Sequence, residues 1–375
     1  MNREIDFSKV KKILILNMIA DTIGDSLFLT PLFRILKKKF PDKYIAVTAT
    51  STNRELFLNN PYLDEIIYIK DLAKIGQRDR SKISKAPIYA KILIELILKL
   101  RKKKFDLCFV GAPNFSPLQL VPFLSGIKYS VGYEYPGMYF SFLITKTGRY
   151  YDPYKPEGYN RHYLESVLDL LRFAEIQIDE KDKVVEKILT PEEVKKSEEI
   201  LKRKGIKERE KIISFQAGAK WRSKCWPAKK FAELAKELIK RYNAKIILLG
   251  SPKEFDLNER INRLTNNELI NLAGKVSLTE IAGILKKSSL LIGNDSGLMH
   301  LASAVGTKTI ILYGSTNPEH SRPMGPGKSI AIFENDFCKP CITNKIDCPY
   351  NYKCMDVISV GKVLSTVDRE FMEST

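Results

Sequence analysis

Short apolar runs that end in polar loops recur along this chain, and most are followed by a segment with apolar residues at helical spacing. Lys12–Asn17 (KILILN) is the first such run. It precedes Asp25–Phe40, where Leu27, Leu32, Ile35 and Leu36 recur at helical spacing and Lys37, Lys38 and Lys39 suit a helix C-terminus. Strands are expected at Tyr44–Thr48, Ile66–Ile69 and Leu107–Val110, with an amphipathic helix at Ala90–Leu100. The second half repeats the theme. Strands at Ile212–Gln216, Ala244–Leu249, Leu290–Ile292 and Thr309–Tyr313 alternate with helices at Ala228–Tyr242, Leu278–Lys286 and Gly297–Val305. Uninterrupted apolar strands alternating with helices are the mark of an α/β protein with buried parallel sheets. Two doubly wound sheets are expected, joined through the polar segment Glu175–Arg209, where Thr190-Pro191-Glu192-Glu193 reads as a helix start.

A length of 375 residues suits two domains, and 44% hydrophobic with 28% charged residues excludes a disordered chain. The formal charge of +18 divides into +10 for residues 1–175 and +8 for the rest, so no basic tail exists. Such a field attracts phosphates, anionic membrane surfaces or nucleic acid without choosing among them. The apolar run Ile13–Leu16 is too short for a signal core, and Pro113, Pro117 and Pro122 break the uncharged stretch Leu107–Ile127. The expected location is therefore cytoplasmic.

Three loops carry the residues suited to chemistry. After the first strand, Gly24 permits close backbone approach and Asp25 opens a helix, either as a capping carboxylate or as a base. After the strand Ile212–Gln216 comes Ala217-Gly218-Ala219-Lys220-Trp221-Arg222-Ser223-Lys224-Cys225-Trp226-Pro227. It is a small-residue loop with three cations, and it is either a phosphate site or a solvated basic loop. The most informative is Asn294-Asp295-Ser296-Gly297-Leu298-Met299-His300, where a strand runs into a helix. Ser296 and Gly297 would offer bare amides to a diphosphate, and Asp295 and His300 could bond sugar or phosphate groups. The plain alternative makes Asp295 an N-cap and His300 a core histidine.

In order and spacing these loops resemble the family 9 glycosyltransferases, the heptosyltransferases of lipopolysaccharide core assembly. The resemblance rests on KILILNMIADTIGDSLFLTPLFRILKKKFP, FQAGAKWRSKCWPAKKFAELAKEL and LLIGNDSGLMHLASAVGTKTIILYGSTNP, with weaker matches at KYSVGYE and LLGSPKE. It implies a GT-B fold, with Rossmann-like doubly wound domains facing across a cleft. Residues 1–180 would bind the acceptor. Residues 181–375, with the cysteine-containing loop and terminal helix, would bind the nucleotide-sugar donor. The implied reaction is inverting single displacement without a catalytic metal, from ADP-heptose to a lipopolysaccharide-core or related acceptor that is lipid-linked. On the matched positions, Asp25 would be the general base and Lys224 would hold the diphosphate. Asp295 would contact the donor sugar, with Ser296 and Gly297 on the phosphates and His300 in the same segment. Glu254 would bond the ribose. Rival readings are a GT-B transferase or epimerase using another nucleotide sugar, or a non-catalytic nucleotide- or nucleic-acid-binding protein. No nucleic-acid motif supports the last, so no nucleic-acid partner is expected.

Cys338, Cys341, Cys348 and Cys354 cluster near the end as CxxC followed by two single cysteines. They could hold a structural zinc or iron, or be free thiols or a disulfide. Two segments could meet an anionic inner-membrane surface peripherally: the basic run Lys99–Lys104 and the aromatic Tyr133–Phe142. The plain alternatives are a solvated helix end and a buried core segment.

Overall fold

The computed structural model describes residues 4–17, 22–70, 86–111, 116–134, 139–151, 161–334, 348 and 350–372. The chain forms two compact units, Met1–Val184 and Val185–Thr375.

The first unit is a six-stranded sheet of β1 (Lys12–Leu16), β2 (Tyr44–Ala49), β3 (Glu65–Tyr68), β4 (Leu107–Val110), β5 (Tyr129–Glu134) and β6 (Lys146–Arg149). Their order is β3-β2-β1-β4-β5-β6, and every pairing is parallel. Ile13–Leu16 of β1 and all of β4 are buried on both faces, which explains why neither alternates apolar with polar residues. The edge strand β6 reads KTGR, half-buried and polar, and no apolar run announces it.

The second unit repeats the plan with β7 (Ile212–Gln216), β8 (Lys245–Leu249), β9 (Ile270–Asn271), β10 (Leu290–Asn294), β11 (Thr309–Tyr313) and β12 (Ser329–Phe333). The order is β12-β11-β10-β7-β8-β9, again parallel throughout. Ile213, Phe215, Phe231, Leu248, Ile292 and Leu312 are among its fully buried core residues. The 191–203 helix starts as its sequence implies. Glu193 N–H donates to Thr190 Oγ1 at 3.2 Å, Thr190 N–H donates to Glu193 Oε2 at 2.8 Å, and Pro191 occupies the first turn.

In each sheet the first strand lies between the second and the fourth, so the chain reverses its direction of travel between β1 and β4 and again between β7 and β10. Loops leaving the carboxyl ends of such a strand pair diverge and open a crevice. The Asp25 segment follows β1. The 217–227 loop follows β7, and Asp295 follows β10.

One expected helix is interrupted. The segment Asp25–Phe40 forms Ile23–Leu27 and then Thr30–Lys39, with Pro31 in the first turn of the second helix. Pro31 has no amide hydrogen for Leu27, and the Thr30 hydroxyl donates to Leu27 O at 2.9 Å instead. The stretch Leu107–Ile127 holds β4 and the short helix Leu120–Leu124, and among the described residues no helix is long and apolar enough to cross a membrane.

The terminal helix Val360–Met372 is fastened to the sheet by charge as well as by packing. Glu370, with a buried side chain, receives Lys328 Nζ at 2.8 Å and Lys308 Nζ at 3.0 Å. Burial alone would raise the Glu370 carboxyl, but the two ammonium groups outweigh it and hold it below the ordinary glutamate range. A carboxyl lowered by folding stabilises the fold at neutral pH, and that contribution disappears as pH falls through the lowered value. Glu370→Gln is expected to cost about 1–3 kcal/mol at pH 7. In urea titrations the gap to the wild type should narrow below roughly pH 4; an equal gap at pH 7 and pH 3 would show that charge is not the cause.

Candidate functional site

The loops at the β7–β10 switch point are tied together by side chains from both strands. Asn294, fully buried at the end of β10, donates from Nδ2 to Ala217 O at 2.6 Å and accepts from Trp226 N at 3.0 Å, pinning both ends of the 217–226 loop. The Ser223 and Ser315 hydroxyls meet at 3.0 Å, and the Trp226 indole donates to Ile358 O at 2.9 Å. Backbone approach is close. A Cβ at Gly293 would lie 2.4 Å from Gln216 O, and one at Gly218 would lie 1.8 Å from Glu254 Oε1. At Gly293 the obstacle is backbone and only glycine fits, whereas at Gly218 a side chain would have to displace the Glu254 carboxylate.

Within this frame Lys224 Nζ donates to Asp295 Oδ2 at 2.6 Å, and Thr316 Oγ1 donates to the same oxygen at 2.8 Å. Asp295 is buried, and a buried carboxylate is tolerable only when paired in this way. The ammonium of Lys224 has three donors, and among the described residues it bonds Asp295 alone, which leaves two donors uncommitted. The loop's other cations are turned elsewhere: Lys220 lies over the Trp221 ring and Arg222 over Tyr352. Of the loop's three cations, Lys220 and Arg222 are exposed and Lys224 is half-buried against a carboxylate.

The next residues supply amides. Ser296 is the N-cap of the helix Gly297–Ala304, so Asp295 is not the cap. The Ser296 side chain makes no capping bond, and among the described residues its hydroxyl has no hydrogen-bond partner. The Gly297 and Leu298 amides, in the first turn, have no acceptor within the helix by its geometry. His300 lies one turn further in and is buried. Burial, with the Asp295 charge beside it, pushes the Tyr313 phenol well above its ordinary value, and burial raises the Cys225 thiol. Both stay protonated and neutral near pH 7.

Glu254 has structural partners already. Its Oε1 accepts from Gln216 Nε2 at 2.9 Å and its Oε2 from Ser251 N at 2.6 Å, closing a capping box. It thus braces the β7 loop from behind Gly218. Asp25, in the other unit, is the third residue of the helix Ile23–Leu27, whose N-cap is Thr22. The carboxylate is half-buried and accepts a hydrogen bond from the Thr22 hydroxyl, so it is not itself the cap.

Cys338 and Cys341 lie outside the described residues. Cys348 is half-buried and Cys354 buried, and among the described residues no cluster of three His, Cys, Asp or Glu side chains could hold a metal. Asn294, Thr316 and Gln216 are the site-building residues that motif reading does not single out. Their one signal is position, at or just past the carboxyl end of a strand.

Two parallel six-stranded units of this strand order are the domain plan of the GT-B glycosyltransferases. The solved Escherichia coli ADP-heptose lps heptosyltransferase II superposes with a TM-score of 0.74 at 23% identity, covering 97% of this chain and 99% of that one. A family 9 glycosyl transferase from Veillonella parvula gives 0.77 at 21% identity, over 100% and 99%. In sequence, the chain is 27% identical to lipopolysaccharide heptosyltransferase 2 of Salmonella typhimurium over 322 residues, 80% of this chain and 83% of that protein. It is also 27% identical to lipopolysaccharide heptosyltransferase 3 of Escherichia coli over 356 residues, 94% and 97% of the two chains. The pattern of glycosyltransferase family 9 (heptosyltransferase) matches residues 94–350, and the chain belongs to that family.

Proposed function

We propose that this glycosyltransferase moves heptose from ADP-heptose onto a lipopolysaccharide-core acceptor by a single inverting displacement. The observation that carries the reading is the Lys224–Asp295–Thr316 cluster beside the open Ser296-Gly297 helix end. A diphosphate suits that combination, since an ammonium with two remaining donors and first-turn amides are groups that hold such an anion, and the Ser296 hydroxyl lies at the same helix end. Asp295, fixed through one oxygen, is suited to contact the donor sugar. His300 supports the same helix end. Glu254 bonds the ribose as well as the loop, since each carboxylate oxygen can accept more than one hydrogen.

In the reaction the acceptor hydroxyl oxygen bonds the anomeric carbon as the bond from that carbon to the diphosphate oxygen breaks. The Asp25 carboxylate takes the hydroxyl proton. The departing diphosphate gains charge, and preset amides with Lys224 stabilise it where it forms, with no metal ion in the step. Residues 1–180 carry the acceptor side and 181–375 the donor side. The acceptor is lipid-linked, so the enzyme works at the anionic cytoplasmic face of the inner membrane.

Calorimetry with ADP-heptose, UDP-sugars and GDP-sugars tests the donor. Uptake of ADP-heptose with heat, and at least about tenfold weaker uptake of the others, is the expected result. Preference for a UDP- or GDP-sugar would replace the donor assignment, and no uptake of any sugar nucleotide by folded protein would remove the reading.

A further inference from the structure

The helix Ala86–Lys103 is apolar on two opposite faces. Leu96 and Leu100 join the core of the first sheet and Ile92 is buried on the same face, as an amphipathic helix requires. Ile94 and Leu98 point the other way and are 56% and 52% exposed. At helical spacing the outward ridge runs Lys91, Ile94, Leu98, Arg101, Lys102, so cations interleave with the apolar side chains. Arg101 Nε donates to Leu124 O at 2.7 Å and holds the end of the helix Leu120–Leu124 beside this ridge, where Phe123 is 59% exposed.

From residue 86 to 104 there are six cations and one acid, Glu95, which Lys70 neutralises at 2.7 Å. The aromatic segment Tyr133–Phe142, by contrast, divides. Tyr133 is core, with its hydroxyl donating to Ser166 O at 2.7 Å, whereas Tyr139 and Phe142 are exposed and residues 135–138 lie outside the described ones.

We propose that the outer ridge of the 86–103 helix, with Phe123 and Leu124, is the surface by which this protein docks on an anionic lipid bilayer. Apolar side chains enter the headgroup boundary while the neighbouring lysines and arginines meet lipid phosphates. The same charge opposes a second copy of the chain on this face, because two such ridges would repel. The reading of the donor site supplies a purpose for the surface, since a lipid-linked acceptor lies at a membrane. The surface itself stands on the exposed apolar ridge and the cations that flank it.

The test is co-sedimentation of the full chain with phosphatidylcholine vesicles, with and without about a third of phosphatidylglycerol. Binding should require the anionic lipid and weaken with salt. Lys91→Glu with Lys102→Glu should reduce affinity by more than about 20-fold, at roughly fivefold per cation lost. Ile94→Ser with Leu98→Ser should reduce it several-fold at unchanged charge, and as exposed changes both pairs should leave the melting temperature in place. Wild-type protein that stays in the supernatant overturns the proposal, as does binding that either pair leaves unaltered. A dimer that dissolves on Ile94→Ser with Leu98→Ser would put a second copy on this face instead. ADP-heptose calorimetry on the same variants keeps the two readings apart: vesicle affinity should fall while donor binding is unchanged.

Discussion

Asp25→Asn is expected to lower kcat by about 10²–10⁴-fold, the usual worth of a positioned general base, while leaving nucleotide-sugar affinity unchanged. The substitution is nearly isosteric, and the Thr22 hydroxyl that donates to the carboxylate can donate to the amide oxygen as well. Asp25 belongs to the first unit, whereas Lys224, Asp295 and the Ser296-Gly297 amides belong to the second. Donor binding and catalysis should therefore separate cleanly. An ordinary aspartate, with a pKa of ~4, is a weak base at neutral pH. In the proposed displacement it would suffice only because the attacking hydroxyl acidifies as its oxygen bonds the anomeric carbon, which would make the proton move late. The measurement is initial rate against donor concentration, beside a melting curve. A normal kcat in the folded variant would take Asp25 out of the mechanism.

Much of the scaffold was legible because central parallel strands must be apolar on both faces. KILIL, LCFV, IISFQ and TIILY are continuous apolar or nearly apolar runs, and each is a buried strand. The edge strands β6 and β9 escaped for the complementary reason. KTGR in β6 and the two residues of β9 pair only because a sheet already exists to receive them. The unbroken helix expected from Asp25 to Phe40 ignored what Pro31 does to the turn before it. At the site, the chemistry-bearing residue types were visible but their connections were not. Lys224 and Asp295 are 71 positions apart and meet because β7 and β10 are neighbours in the sheet, a fact of strand order that no local pattern contains. Thr316 and Asn294 follow the same logic, and the bond from Gln216 to Glu254 appears only once the β7 and β8 loops are side by side, whereas the Ser251–Glu254 capping box is local.

Lys224→Met should lower kcat/KM by about 10²–10³-fold, the loss expected when one preorganised donor to a developing anion is removed. The same change has a structural consequence that must be separated from the chemical one. Asp295 is buried, and without Lys224 it keeps only the Thr316 hydroxyl among its described partners. An under-satisfied buried carboxylate costs about 1–3 kcal/mol, so the melting temperature should drop as well. Adding Asp295→Asn removes the orphaned charge, and the double variant should recover most of that stability while activity stays low. Lys224→Arg keeps the charge but replaces a compact ammonium by a planar fork in a gap where Nζ sits 2.6 Å from Asp295 Oδ2. It should therefore rescue poorly. If the double variant regained activity together with stability, Lys224 would be a brace for Asp295 and not a ligand of the diphosphate, and the anion cradle would have to rest on the helix amides and Ser296 alone.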